Sequence, residues 1–253
     1  MIRFLVLLLA VSSVGCVDEQ WPPQKMFAPV EIPSQKASIH PWVAELLKLD
    51  VAEARKHLND RLACKSPELS PLIQTMEDYV PVQVAFTSDV GYLRCVRKYK
   101  DQSTRQTAYD VVYFAQPLPE DRLESRVSYF NRDVQSLARE LLKRFAGSGE
   151  EMEGTAGQFV LHHWPSASDF KSRDANSYGE WRDAKLLYAA MNGDSVFIKP
   201  NGATAWHTLE TGDMTPIANT LEEFIQVYAD FQKTHEIFDS WAYRKFQSDR
   251  TKR

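Results

Sequence analysis

Cysteine and histidine are scarce in this chain, which has 3 Cys and 6 His among 253 residues. They do not form the spaced Cys/His pattern of a structural zinc site, so the sequence argues against such a site. A concentrated basic face is also lacking, since the formal net charge is −4, and this argues against a dedicated nucleic-acid binder. No apolar run approaches the roughly 20 residues that a membrane-spanning helix needs, so the chain beyond its N-terminus is expected to be soluble.

Common catalytic patterns are missing as well. Ser148 lies between two glycines but lacks the five-residue Gly-x-Ser-x-Gly elbow and follows a predicted helix. The nearby glycines do not lead from a strand into a helix, which argues against a phosphate-binding loop. His162 and His163 are neighbours on a predicted strand, so they point to opposite faces and cannot readily share one metal ion. The sequence therefore predicts no catalytic residue, no cofactor and no metal.

The N-terminus has the features of a secretory signal. Arg3 is followed by the unbroken apolar run 4–11, and the segment ends in Ser13-Val-Gly-Cys16. A cysteine directly after a small glycine resembles the lipobox of bacterial lipoproteins, which implies lipidation at Cys16 and an extracytoplasmic, membrane-anchored protein. The alternative is an ordinary signal peptide cut nearby, which would leave a secreted or periplasmic chain. Residues 1–15 are thus the predicted signal peptide, and the proline-containing stretch 16–38 is predicted to be a semi-extended linker.

Removing Cys16 from the count leaves Cys64 and Cys95. In an exported protein two remaining cysteines are a candidate disulfide, and the alternative is a pair of buried thiols.

The remaining chain has the composition of a folded α+β protein, with 43% hydrophobic residues, 13 Phe and 6 Trp. Between residues 39 and 120 the pattern predicts a helix from Pro41 that Asp50 and Val51 interrupt, a second helix over 68–79, and strands over 82–86, 92–99 and 108–114. Pro117 and Pro119 place a boundary before a second unit, 121–237, and 238–253 is a polar, basic tail.

The second unit carries the clearest pattern. An amphipathic helix is predicted over 132–146, followed by strands over 186–191, 195–199, 203–208 and 214–218. Asn192-Gly193 and Asn201-Gly202 are the strongest short-range signals for hairpin turns, and Trp206 is expected in the core. Thr220-Leu-Glu-Glu223 is a capping box that opens a last helix. The sequence predicts an antiparallel meander packed by helices, preceded by a small α+β unit.

These pieces, in this order, resemble the SUKH superfamily of fungal cell-wall-synthesis regulators and bacterial toxin-immunity proteins. The resemblance covers residues 133–231 and rests on these matches: 141–147, 154–160, Trp181, Ala184, Leu187, Tyr188, 192–194, 197–198, Gly202, 205–206, 217–218 and 220–225. It implies a non-enzymatic protein that binds partners through a variable surface, with no shared catalytic residues. Residues 39–120 resemble no family.

Two surfaces carry the charged residues of interest. Asp169, Asp174, Glu180 and Asp183 form an acidic stretch that is the candidate contact for a protein partner, possibly a basic one. Arg94, Arg97, Lys98, Lys100 and Arg105 form the one basic run, whose default interpretation is a solvated strand edge and whose alternative is contact with an anionic polymer or lipid headgroup. The competing function is an extracytoplasmic hydrolase or envelope-polymer enzyme with its site in 39–120, where His57 lies.

Overall fold

The computed structural model describes residues 21, 27–30, 41–46, 48–87, 90–101, 104–115, 117–145, 148–152, 155–159, 167, 178–190, 193–234, 241, 244 and 245. The predictions for the signal peptide, Cys16, Gly147, His162, His163, Asp169, Asp174 and Asn192 lie outside these residues, as does most of the tail.

The described residues form an α+β fold, as predicted. The helices are α1 (Pro41–Leu46), α2 (Val51–Leu62), α3 (Ser70–Met76), α4 (Glu120–Val127), α5 (Arg132–Phe145) and α6 (Leu221–Gln232). The strands are β1 (Phe27–Val30), β2 (Val80–Thr87), β3 (Val90–Lys100), β4 (Thr107–Ala115), β5 (Ser148–Met152), β6 (Thr155–Phe159), β7 (Lys185–Ala189), β8 (Ser195–Ile198), β9 (Thr204–His207) and β10 (Met214–Ala218).

The strands pair in chain order. Two antiparallel groups, β2 to β4 and β7 to β10, are connected through β5 and β6, and β1 is added in parallel at the edge beside β2. Residues 27–30 belong to the stretch that the sequence predicts to be a linker, whereas the structure pairs them with β2. Pro29 explains how both descriptions arise, because proline is tolerated in an edge strand and is also typical of extended linkers.

Local sequence explains where the helices begin. The side chain of Asp50 accepts a hydrogen bond from the Glu53 amide, and the Glu53 side chain accepts one from the Asp50 amide, so a capping box starts α2 at the predicted interruption. Thr220 caps α6 by accepting from the Glu223 amide. The predicted second helix is shorter than expected, because Pro71 lies in the first turn of α3 and favours a start at that point.

Both predicted hairpin turns are present between strands. Gly193 and Gly202 have φ of 91° and 85°, the left-handed region that glycine enters without steric cost. Trp206 is 3% exposed, as expected for a core residue.

One face of the sheet carries the main core. Buried side chains of the six helices and of β2 to β4 and β7 to β10 meet there, including Leu58 of α2, Phe114 of β4, Phe145 of α5 and Trp206 of β9. A smaller cluster lies on the opposite face of β7 to β9 and contains Tyr178, Trp181 and Phe197. Residues before and after 120 therefore contribute to one core.

Candidate binding surfaces

A short 3-10 turn, Gly179–Trp181, places exposed acids beside a buried ring. Trp181 is 7% exposed and packs in the smaller cluster with Tyr178 and Phe197. The ammonium of Lys199 lies 4.1 Å from the centroid of the Trp181 ring, and its Nζ lies 3.0 Å from Glu180 Oε1. We call Glu180, Trp181, Asp183 and Lys199 the Trp181 surface.

Hydrogen bonds hold this surface in place. The Tyr129 hydroxyl donates to the carbonyls of Ile198 (2.9 Å) and Asp183 (3.4 Å), so it joins the turn to the end of β8. Burial raises the pKa of Tyr129 to about 12, so the hydroxyl stays protonated and able to donate. The Ala184 amide donates to the Trp181 carbonyl at 3.0 Å, which closes the turn. The backbone under the acidic side chains is therefore fixed on both sides.

The structure brings together two of the four predicted acidic residues. Glu180 and Asp183 are both exposed, and the Glu180 side chain keeps 78% of its surface in solvent. Lys199 was not among the predicted site residues, because it comes from the turn after β8 and only the folded chain sets it over Trp181.

A second surface is a cleft of about 520 Å³ beside α2, β2 and β3. We call it the Trp21 cleft, and it is lined by Trp21, Arg55, Asp78, Val80, Arg97, Lys98 and Tyr99. Three of these residues are cations and one is a carboxylate, so the lining favours an anion. Its volume is within the range typical of small-molecule sites.

Trp21 is part of the folded body. Its ring centroid lies 5.7 Å from that of Tyr109 on β4, and the side chain packs against a cluster that includes Val80, Val82 and Val96. The sequence places Trp21 in the linker, so its contact with the sheet is a feature that sequence reasoning missed.

The basic run divides between the two faces of β3, as strand alternation predicts. Arg97 turns toward the helices and pairs with buried Asp110 of β4, whereas Lys98 is exposed and lies near the ring of Tyr109. Lys100 is exposed and donates to the Thr107 hydroxyl at 2.8 Å. Arg97 and Lys98 contribute to the Trp21 cleft, and Arg94, Lys100 and Arg105 do not line it.

The disulfide alternative for Cys64 and Cys95 is not what the structure shows, because both are free thiols. The Cys95 sulfur is buried 4.0 Å from the Leu93 carbonyl of its own strand, and the Cys64 sulfur lies 3.8 Å from the Ser66 carbonyl. Burial raises the pKa of the Cys95 thiol, which keeps it protonated and a poor nucleophile.

Among the nearby cations, Arg61 has the largest opposing effect on the pKa of the Cys95 thiol. Its guanidinium nitrogens are buried without a hydrogen-bond acceptor among the described residues, and the group stacks 4.3 Å from the ring centroid of Trp42. Burial lowers the pKa of Arg61 to about 10.

Two described histidines differ in their surroundings. His57 is half-buried on α2, whereas His207 is 3% exposed at the end of β9, between Tyr178 and Phe197. Burial lowers the pKa of His207, against the smaller opposing effect of Asp194. Its Nε2 has no hydrogen-bond partner in the described part of the chain. His207 therefore has a packing role among the aromatic rings of Tyr178 and Phe197.

Comparisons with known proteins add no relative: no family model, curated protein or solved structure matches the chain. Among the described residues, no helix has the length and apolar character needed to cross a bilayer. Within the same residues, no three His, Cys, Asp or Glu side chains are grouped closely enough to hold a metal ion.

Proposed function

We propose that this chain is a non-enzymatic, protein-binding lipoprotein of the cell envelope, anchored through Cys16 and contacting its partner through the Trp181 surface. The observation that carries the proposal is the exposure of Glu180 and Asp183 on either side of buried Trp181. The ring fixes the turn, and the two carboxylates face solvent, where a partner can reach them.

The position of Glu180 suits recognition better than acid–base chemistry. A general acid is usually a carboxyl in an apolar site that raises its pKa. Glu180 is instead in solvent and ion-paired with Lys199. A charged side chain at the rim of a contact steers a complementary partner and adds specificity, so the partner is expected to be basic at this point.

The SUKH-like pattern supports the same function. The resemblance implies binding through a variable surface, and its segment corresponds to α5, the meander β7 to β10 and α6. The 3-10 turn precedes β7, so the Trp181 surface is a loop feature placed on a regular scaffold, which is where binding residues commonly lie.

A photo-crosslinking residue at position 182 tests this proposal. Arg182 is exposed between Glu180 and Asp183, and Lys143 is an equally exposed position on α5 that serves as the matched control. In the native envelope, a crosslinker at 182 should give one discrete adduct that a crosslinker at 143 does not give. No adduct at 182, or the same adducts at both positions, would remove the Trp181 surface from the proposal.

A further inference from the structure

We propose that the Trp21 cleft binds the anionic headgroup of a phospholipid in the membrane that carries the acyl chains on Cys16. This inference rests on the proposed lipid anchor and adds a second, non-covalent membrane contact to it. The partner surface proposed above is separate, because β3 and β8 have four strands between them in the sheet.

The distance between anchor and cleft is short. Trp21 follows Cys16 by five residues and contacts the folded body. Five residues span at most about 18 Å when fully extended. The polar headgroup region of one leaflet is about 5–8 Å thick, and charge effects at a membrane surface act over about 8–10 Å. A lipidated Cys16 therefore holds the Trp21 cleft at the membrane surface.

The chemistry of the cleft matches a phosphate group. Arg55 makes one described hydrogen bond, from Nη2 to the Glu77 carbonyl at 2.5 Å, and a guanidinium has five donors. Such a planar group can give two parallel hydrogen bonds to phosphate oxygens. Lys98 adds an exposed cation on β3. Asp78 is the one carboxylate among the lining residues, so Arg55 and Lys98 together leave the lining positively charged.

Arg97 has a different role in the cleft. Its guanidinium is held by Asp110 at 2.6 Å and by the Gln232 carbonyl at 2.9 Å. These contacts fix the wall of the cleft and neutralise much of the Arg97 charge. Arg55 and Lys98 are therefore the residues whose loss should weaken anion binding.

Trp21 favours a lipid over an acidic segment of a protein. Tryptophan is enriched at membrane interfaces, where its amphipathic ring lies at the headgroup level. The tether also makes headgroup binding an intramolecular event, with an effective concentration on the order of millimolar for a short linker. A site of weak intrinsic affinity would then be occupied by lipid in the membrane.

The direct test uses residues 16–253 with Cys16→Ser, so that no acyl chain contributes. Flotation with phosphatidylcholine vesicles, with and without phosphatidylglycerol, should show binding that requires the anionic lipid and decreases with salt. Arg55→Gln with Lys98→Gln should weaken partitioning on the order of 25-fold, about five-fold for each cation. Arg122→Gln with Lys143→Gln makes the same charge change on exposed helix positions outside the cleft and should change it less than about three-fold.

Trp21→Phe provides a second measurement that keeps an aromatic ring against Tyr109. Brominated phosphatidylglycerol should quench part of the wild-type tryptophan emission, and that part should be missing in Trp21→Phe.

Equal binding to both vesicle types, or equal losses in the cleft and control variants, would overturn the proposal. Displacement of the vesicles by polyglutamate would assign the cleft to an acidic protein segment instead. Saturation by glycerol phosphate without any preference for anionic vesicles would assign it to a soluble anion. Acylation of Cys16 is measured separately by fatty-acid labelling, so failure of the anchor and failure of the cleft are distinguishable.

Discussion

Arg97 and Asp110 are directly opposite each other on β3 and β4 and form a buried ion pair that reaches the last helix. The Arg97 Nε and Nη2 atoms donate to Asp110 Oδ2 at 3.0 and 2.6 Å, and Nη2 also donates to the Gln232 carbonyl at 2.9 Å. Gln232 is the final residue of α6, where a cation interacts favourably with the helix dipole. The pair therefore connects the first antiparallel group of strands to the end of the last helix.

Asp110→Asn should destabilise the protein by about 3–5 kcal/mol, because it leaves the mostly buried Arg97 guanidinium without its counter-charge. The free energy of unfolding in urea measures this change. Asp230→Asn is the matched control, because Asp230 pairs with Lys233 on the exposed side of α6 and should cost less than about 1 kcal/mol. Similar losses in the two variants would mean that the buried ion pair contributes no more to the free energy of unfolding than the exposed pair does.

Alanine substitution should lower the free energy of unfolding by different amounts at the two hairpin glycines, Gly193 and Gly202. Both have positive φ, so alanine is strained at either position, at about 1–3 kcal/mol. At Gly202 a Cβ would also lie 2.7 Å from the backbone nitrogen of Leu221, which cannot move without shifting α6. At Gly193 the new Cβ would meet the side-chain end of Leu209, which is exposed and can rotate away.

Gly202→Ala should therefore lower the free energy of unfolding by at least about 1 kcal/mol more than Gly193→Ala, in line with the cost of forced overpacking. Urea unfolding of both variants measures the difference. Equal losses would show that φ strain alone determines the cost and that the turn does not press on α6.

The sequence pattern was sufficient to predict those features that a few neighbouring residues determine. The turns at Gly193 and Gly202, the N-cap at Thr220 and the buried Trp206 all depend on a few neighbouring residues. Helix α4 was missed because only Leu123 and Val127 of its eight residues are buried, so its apolar stripe is too short to detect. Strands β5 and β6 were missed because their sequence is polar and contains glycine, and they form through pairing with β4 and β7.

The candidate sites depend on contacts between residues that are far apart in sequence. Trp21 and Arg97 meet in one cleft, and Lys199 lies over Trp181, although no local pattern places either pair together. The free state of Cys64 and Cys95 could not be predicted either, because cysteine spacing alone could not distinguish a bridge from two thiols. The acidic stretch could be recognised as a surface candidate from composition, but the contact that fixes the backbone at Asp183 depends on Tyr129.

The protein should lose stability in mild acid because His207 is buried. Burial holds its pKa in the folded protein below the value of about 6.5 that it has in the unfolded chain. As the pH falls, the unfolded chain therefore binds the proton first, and the free energy of unfolding decreases through and below the unfolded pKa. His207→Gln should reduce this decrease between about pH 7 and pH 5.

A variant of Asp194 should change the same pH dependence in a known direction. Its charge favours protonation of His207, so Asp194→Asn should lower the folded pKa further and extend the loss of stability to lower pH. Thermal unfolding across a pH series measures both effects. A wild-type pH dependence that is unchanged in His207→Gln would contradict the assigned origin.

Cys16→Ser should move the protein from the membrane fraction to the soluble fraction once the membranes are washed in high salt, and it should abolish labelling by a fatty-acid analogue. Two or more acyl chains anchor a protein stably, and headgroup binding alone is reversible. An unlabelled wild type, or full retention of the variant after washing in high salt, would show that Cys16 does not carry the anchor.

The most direct test of the account is partner capture after the predicted acidic stretch, which includes two residues of the Trp181 surface, has lost its charges. Asp169, Asp174, Glu180 and Asp183 are changed together to Asn or Gln, and binding of the crosslinked partner is measured with increasing salt. Thermal stability should remain near that of the wild type, because the exposed charges of Glu180 and Asp183 contribute about 0–1 kcal/mol each to folding. The account predicts that the wild type binds, that salt weakens the binding, and that the variant loses most of it. Undiminished binding by the variant, or a hydrolytic activity that one polar residue of 39–120 abolishes on mutation, would contradict it.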